Sequence, residues 1–82
     1  LENYERGKGM KLKPVGKNNT ILKMDGVEIL FSYNVPVAAH IDGMVYKTSK
    51  VHSITTTRHI NQFLAGETAN ERPQEWFDDR VS

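Results

Sequence analysis

Thr20-Ile21-Leu22-Lys23-Met24-Asp25-Gly26-Val27-Glu28-Ile29-Leu30-Phe31-Ser32-Tyr33 is the stretch that decides the fold. Two β-prone runs flank Asp25-Gly26, a pair suited to a two-residue type I′ turn, where both central residues need positive φ. That turn sets the register. Met24 faces Val27, Lys23 faces Glu28, Leu22 faces Ile29, Ile21 faces Leu30 and Thr20 faces Phe31. Leu22, Met24, Val27, Ile29, Phe31 and Tyr33 then share one face, the expected core face. Ile21, Lys23, Glu28, Leu30 and Ser32 share the other, which is mixed. A slip of one residue would exchange the two sets, so the register is firm.

The pattern repeats downstream. Val37–Ile41 and Met44–Thr48 flank Asp42-Gly43, and the same arithmetic pairs Ile41 with Met44, His40 with Val45, Ala39 with Tyr46 and Ala38 with Lys47. Val37, Ala39, Ile41, Met44 and Tyr46 are expected on the core face. Asn34-Val35-Pro36 links the hairpins, and Pro36, lacking an N–H, belongs at a strand start or edge. Four consecutive strands with short links predict an antiparallel meander. Lys11–Val15 is expected to pair at an edge, and Lys50–Ile54 to add a short fifth strand or an extended segment.

A helix is expected over Thr57–Ala65. Thr55, Thr56 and Thr57 offer capping hydroxyls, Ile60, Phe63 and Leu64 form an i, i+3, i+4 stripe, and Gly66 suits the C′ position. Its stripe is expected over the core face of the sheet. Glu67–Arg72 reads as a polar linker. Pro73 then opens a short helix over Gln74–Arg80. Trp76 and Phe77 are neighbours, so one helical stripe cannot bury both fully. They anchor this tail either on their own domain or on a second copy or partner. The fold class is therefore α+β: four to five antiparallel strands, one covering helix and a short C-terminal helix.

The chain has 82 residues, 38% of them hydrophobic and 26% charged, which fits one soluble globular domain. Cysteine is absent, which excludes disulfides, thiolate metal sites and a cysteine nucleophile. Residues 1–9 are polar and aperiodic and read as a flexible arm or vector remnant, leaving 10–66 as the domain and 67–82 as an acidic tail anchored by Trp76 and Phe77. The formal net charge of +1 hides an asymmetry: residues 10–66 carry seven cations against three acids, and residues 67–82 two against five. No apolar run reaches the roughly 20 residues of a membrane span, and the first residues show no secretory signal, so a cytoplasmic protein is expected, with no membrane partner. Asn18-Asn19-Thr20 matches a glycosylation sequon by chance.

Three stretches taken together, Ile29–Tyr33 with Pro36-Val37-Ala38, Tyr46-Lys47-Thr48 and Thr55–Asn61, resemble a small domain of unknown function found in hypothetical proteins of phages, plasmids and their prokaryotic hosts. The resemblance spans residues 20–65. It implies a mobile-element or viral origin, hence the host cytoplasm, and a compact sheet-plus-helix domain. It implies no activity. The family pattern has an aromatic in the region where Val51-His52 stands here.

Thr55–Asn61 is the densest polar segment beside an apolar pattern. A helix N-terminus offers free N–H groups to anions, and Arg58, Lys47 and Lys50 add charge. The leading expectation is a non-enzymatic accessory module that binds nucleic acid through a modest basic face of Lys47, Lys50, Thr56, Arg58, His59 and Asn61. A second reading is a protein-interaction or homodimeric module, with Ile21, Leu30, Val45, Trp76 and Phe77 at the interface. A third is a small histidine-dependent nuclease built on His59 and Arg58, although adjacent helical residues point about 100° apart. No catalytic residue is assigned. His40, His52 and His59 match no ligand spacing, so no metal and no cofactor are expected.

Overall fold

The computed structural model describes residues 11–81; the segment 1–9, read above as an arm, lies outside them. Strands β1 (Lys11–Pro14), β2 (Asn19–Met24), β3 (Val27–Ser32), β4 (Val35–Ile41) and β5 (Met44–Thr48) form an antiparallel meander. Helix α1 (Ile54–Leu64) then carries the chain back to β6 (Asn70–Arg72), which pairs parallel to β5, and α2 (Gln74–Val81) closes the fold. The order across the six-stranded sheet is the order in sequence.

Both hairpin registers are as expected, from Thr20↔Phe31 to Met24↔Val27 and from Ala38↔Lys47 to Ile41↔Met44. The turns differ. Asp42 and Gly43 both have positive φ, 50° and 83°, as a type I′ turn requires; at Asp25-Gly26 only Gly26 does, at 71°. The link between hairpins is tighter than expected. Tyr33 and Asn34 make a two-residue turn with φ of 51° and 67°, and β4 starts at Val35. Pro36 lies inside β4 at a bulge, where Leu30 pairs with Ala38 and Phe31 with Pro36. The skipped residue, Val37, turns toward α1, where sequence alternation alone put it on the opposite face.

Helices cover both faces. Helix α1 lies on the face that reads as mixed: Ile60 and Leu64 pack with Leu30, Val37 and Ala38, flanked by Ile21, Val45 and Phe63. The expected core face is covered by α2 instead, where Phe77 packs with Ile29 and Ala39, flanked by Leu22, Val27, Phe31, Ile41, Tyr46 and Trp76. Ala38 and Ala39 are fully buried back to back, one under each helix. Their small side chains let both helices approach the sheet. Tyr33 and Met44, expected in the core, are about half exposed because each sits at a turn.

The helix starts three residues earlier than expected. Ser53, not a threonine, is the N-cap, and its Oγ accepts the Thr56 N–H at 3.1 Å. Ala65 and Gly66 both take left-handed φ at its end, and the Ala65 N–H bonds to the Asn61 carbonyl. Of the two readings of Lys50–Ile54 the strand does not form: Ser53 is extended, Ile54 already belongs to α1, and the extra strand is β6, within the segment read as a linker.

Candidate functional site

Chain connectivity gathers the acids of the β1–α1 body and its exit at one end of the sheet. One end holds the 25–26 and 42–43 turns, the start of β3 and the exit from α1. Asp25, Glu28, Asp42 and Glu67 all gather there. His40 sits between two of them, with Nδ1 3.7 Å from Glu28 Oε1 and Nε2 3.5 Å from Glu67 Oε1, and Lys23 Nζ is 3.6 Å from Glu28 Oε2. Four more acids follow: Glu71 on the edge strand β6, and Glu75, Asp78 and Asp79 on α2, which lies over the sheet face at β3 and β4.

The other end holds the β1–β2 loop (residues 15–18), the Tyr33–Asn34 turn, the loop after β5, the N-terminal half of α1 and the start of α2, where Gln74 Nε2 reaches the Pro36 carbonyl at 2.7 Å and Asp78 Oδ1 at 3.1 Å. The segments 11–24, 29–41 and 43–66 contain no acid at all, yet supply Lys13, Lys17, Lys47, Lys50 and Arg58. Lys17, Lys50 and Arg58 are exposed. Lys47 is half-buried and lies opposite Glu71 of β6, which offsets its charge.

A brace of hydroxyls holds this end together. Ser32 Oγ lies 2.7 Å from His59 Nδ1 and 2.9 Å from Thr56 Oγ1, and Ser53 Oγ donates to Thr56 Oγ1 at 3.2 Å. One donor order uses every hydroxyl proton: Ser53 to Thr56, Thr56 to Ser32, and Ser32 to His59 Nδ1. His59 then carries its own proton on Nε2. Ser32 is 2% exposed, so the pair acts as an interior tie between β3 and α1. Arg58 points to solvent and His59 packs against the sheet, on different faces of the helix.

The remaining expected site residues are placed as follows. Thr56 is buried within the brace, and Asn61 is exposed on the second half of α1, away from the lysine-bearing end. Leu30 and Phe77 are each 1% exposed, enclosed by the chain's own helices. Ile21 and Val45 pack under α1, and Trp76 stacks on Tyr46 with ring centroids 4.8 Å apart. The tail is thus docked on its own domain, and none of these five faces outward as an open anchor. Arg80 caps the Trp76 ring at 3.8 Å, and Arg72 lies over Tyr46 at 5.2 Å. The three histidines sit apart: His52 Nε2 bonds to Gln74 Oε1 at 3.0 Å, far from the His40 and His59 settings in the fold. Among the described residues no group of three His, Asp or Glu converges as a metal site.

Sequence reasoning missed Lys17, Asn18, Tyr33 and Asn34. They surround a hollow of about 420 Å³ with Thr20 and Phe31. The signal that points to them is the length of the acid-free runs on either side of the Tyr33–Asn34 turn.

Among the described residues no helix is long and apolar enough to cross a membrane. No curated protein and no solved structure gives a significant match to the chain. One family model does, over residues 10–79, from the first strand almost to the end of α2. The match takes in β6 and α2, the elements that complete the sheet edge and the second core, and so the chain belongs to the family of unknown function DUF8033.

Proposed function

We propose that this chain is an accessory nucleic-acid-binding module of the phage and plasmid type, and that it meets phosphates with the β1–β2 loop, the Tyr33–Asn34 turn and the N-terminal half of α1 at one end of its sheet. The observation that supports this is charge segregation. Every carboxylate of the β1–α1 body and its exit lies at the opposite end, while Lys17, Lys50 and Arg58 are exposed at this one. A phosphate backbone meets attraction from these cations, while the acids Glu75 and Asp78 of α2 lie over the opposite face of the sheet from α1. The contacts are few, so binding is weak and strongly salt-dependent. Three phosphate contacts correspond to a log–log salt slope of roughly −2 to −3.

The test is fluorescence anisotropy of a labelled oligonucleotide at low and physiological salt. Lys17→Glu with Arg58→Glu should abolish binding. Lys23→Glu, at the acidic end, should leave it within about twofold. Absence of any binding at ~50 mM salt overturns the reading.

A protein-contact reading has one observation in its favour: Val51 and Ile54, flanking the α1 cap, are 91% and 74% exposed. Light scattering on the parent chain and on Val51→Ser/Ile54→Ser distinguishes it. A mass above the monomer that the variant loses would support self-association.

A further inference from the structure

Tyr33 occupies the first central position of a turn whose two residues both take left-handed φ. Gly, Asn and Asp are the usual occupants there. For a bulky L-residue the left-handed region costs roughly 1–2 kcal/mol. Packing does little to offset this cost, because Tyr33 is 48% exposed and its ring borders His59 at a centroid distance of 6.0 Å. A glycine or asparagine would close the same turn without strain. The ring is therefore held out at this corner by the backbone rather than by packing.

The corner itself is built. The Tyr33 N–H donates to the Asn18 carbonyl at 2.8 Å, which ties the turn to the β1–β2 loop. That loop is closed by Val15 N–H to Asn19 C=O at 3.1 Å, and a Cβ at Gly16 would collide with the Asn19 carboxamide. The hollow between loop and turn is lined by Lys17, Asn18, Thr20, Phe31, Tyr33 and Asn34. It offers two aromatic rings for stacking, two carboxamides that both donate and accept hydrogen bonds, and one cation at the rim. No carboxylate lines it.

We infer that this hollow takes an unpaired base of a single-stranded nucleic acid, with Tyr33 as the stacking platform and Lys17 on the adjoining phosphate. This rests on the proposed nucleic-acid reading and narrows it. A π-face and a paired donor–acceptor edge are what an unstacked base presents, and a duplex keeps both inside. The lysine and the missing carboxylates match a phosphate on the same strand.

The experiment uses the full chain with a fluorescein-labelled oligo-dT and a duplex of the same length. Tyr33→Gly removes the ring and fits the turn's φ, so its fold is retained, as a thermal melt will verify. Tyr33→Phe keeps the ring. The parent should prefer the single strand. Tyr33→Gly should lose roughly tenfold or more in single-strand affinity, the scale of one stacked base, while Tyr33→Phe stays within about threefold. The salt slope should be unchanged in Tyr33→Gly, because no phosphate contact is lost. Equal binding of strand and duplex with no effect of Tyr33→Gly overturns the base hollow and leaves phosphate binding intact. Absence of binding to either probe at ~50 mM salt overturns both.

Discussion

Ser32 Oγ sits 2.7 Å from His59 Nδ1, and this contact joins the end of β3 to the middle of α1 across 27 residues of sequence. The serine is enclosed, so its partners in the chain replace water entirely. Ser32→Ala leaves both His59 Nδ1 and the Thr56 hydroxyl short of a partner. Each unmade buried hydrogen bond costs about 1–3 kcal/mol. A loss of roughly 2 kcal/mol in urea denaturation is expected. The double-mutant cycle with His59→Ala should give a coupling of at least ~0.5 kcal/mol. Simple additivity would show that the two side chains are independent.

Phe77 is the largest fully buried side chain, and it belongs to the segment that reads as a tail. It fills the space over Ile29 and Ala39 that no other helix covers. Phe77→Ala should cost about 3–5 kcal/mol, most of what a domain of this size possesses. Circular dichroism at 25 °C should show a largely unfolded chain. A parent-like melt would mean that α2 is dispensable to the core.

What the hairpins contribute was legible because alternation and turn chemistry act locally. Met24↔Val27 and Ile41↔Met44 follow directly from where Gly26 and Gly43 stand. Which helix covers which face was not legible. The face with Ile21, Leu30 and Ser32 reads as mixed because Lys23 and Glu28 share it at the turn end, where they pair with each other. Strand β6 carries Asn70, Glu71 and Arg72, with no apolar pattern to read. Its pairing to β5 is decided by the return path of α1. Val37 was misplaced by a bulge that Pro36 invites, since its missing N–H leaves the ladder open. At the candidate site, Lys47, Lys50, Arg58 and His59 were singled out from one segment. Lys17 and Tyr33 come from the β1–β2 loop and the β3–β4 turn, and the fold alone brings them together at one hollow, with Tyr33 beside His59.

The His40 setting at the acidic end makes a contrasting case. Its ring stacks on Phe63 at 4.7 Å, and its two nitrogens face carboxylates that are themselves well exposed. Exposed ion pairs contribute about 0–1 kcal/mol. Glu67→Gln should therefore change stability by less than ~0.5 kcal/mol, whereas Phe63→Ala, which strips apolar packing from α1, should cost about 2 kcal/mol or more. If chemical denaturation ranks the two the other way, the ion contacts rather than the ring hold the exit of α1.

Gln74 is the polar key to α2. Its Oε1 accepts from Thr48 Oγ1 at 2.9 Å and from His52 Nε2 at 3.0 Å, and its Nε2 donates to the Pro36 carbonyl at 2.7 Å and to Asp78 Oδ1 at 3.1 Å. Gln74→Glu keeps the acceptor and deletes the donor. A carboxylate would then face the Pro36 carbonyl and the Asp78 carboxylate with no proton between them. At neutral pH a loss of about 1–3 kcal/mol is expected. The sign with pH follows from the same geometry. Both neighbours favour the protonated form of the introduced carboxyl, so the folded state binds that proton more tightly than the unfolded one. Stability relative to the parent should then be recovered as pH falls and lost as it rises. Urea midpoints of parent and variant, measured side by side from pH 4 to pH 7, check this. A deficit that stays constant across that range would show that the Pro36 carbonyl and Asp78 do not bias the introduced carboxyl toward its protonated form.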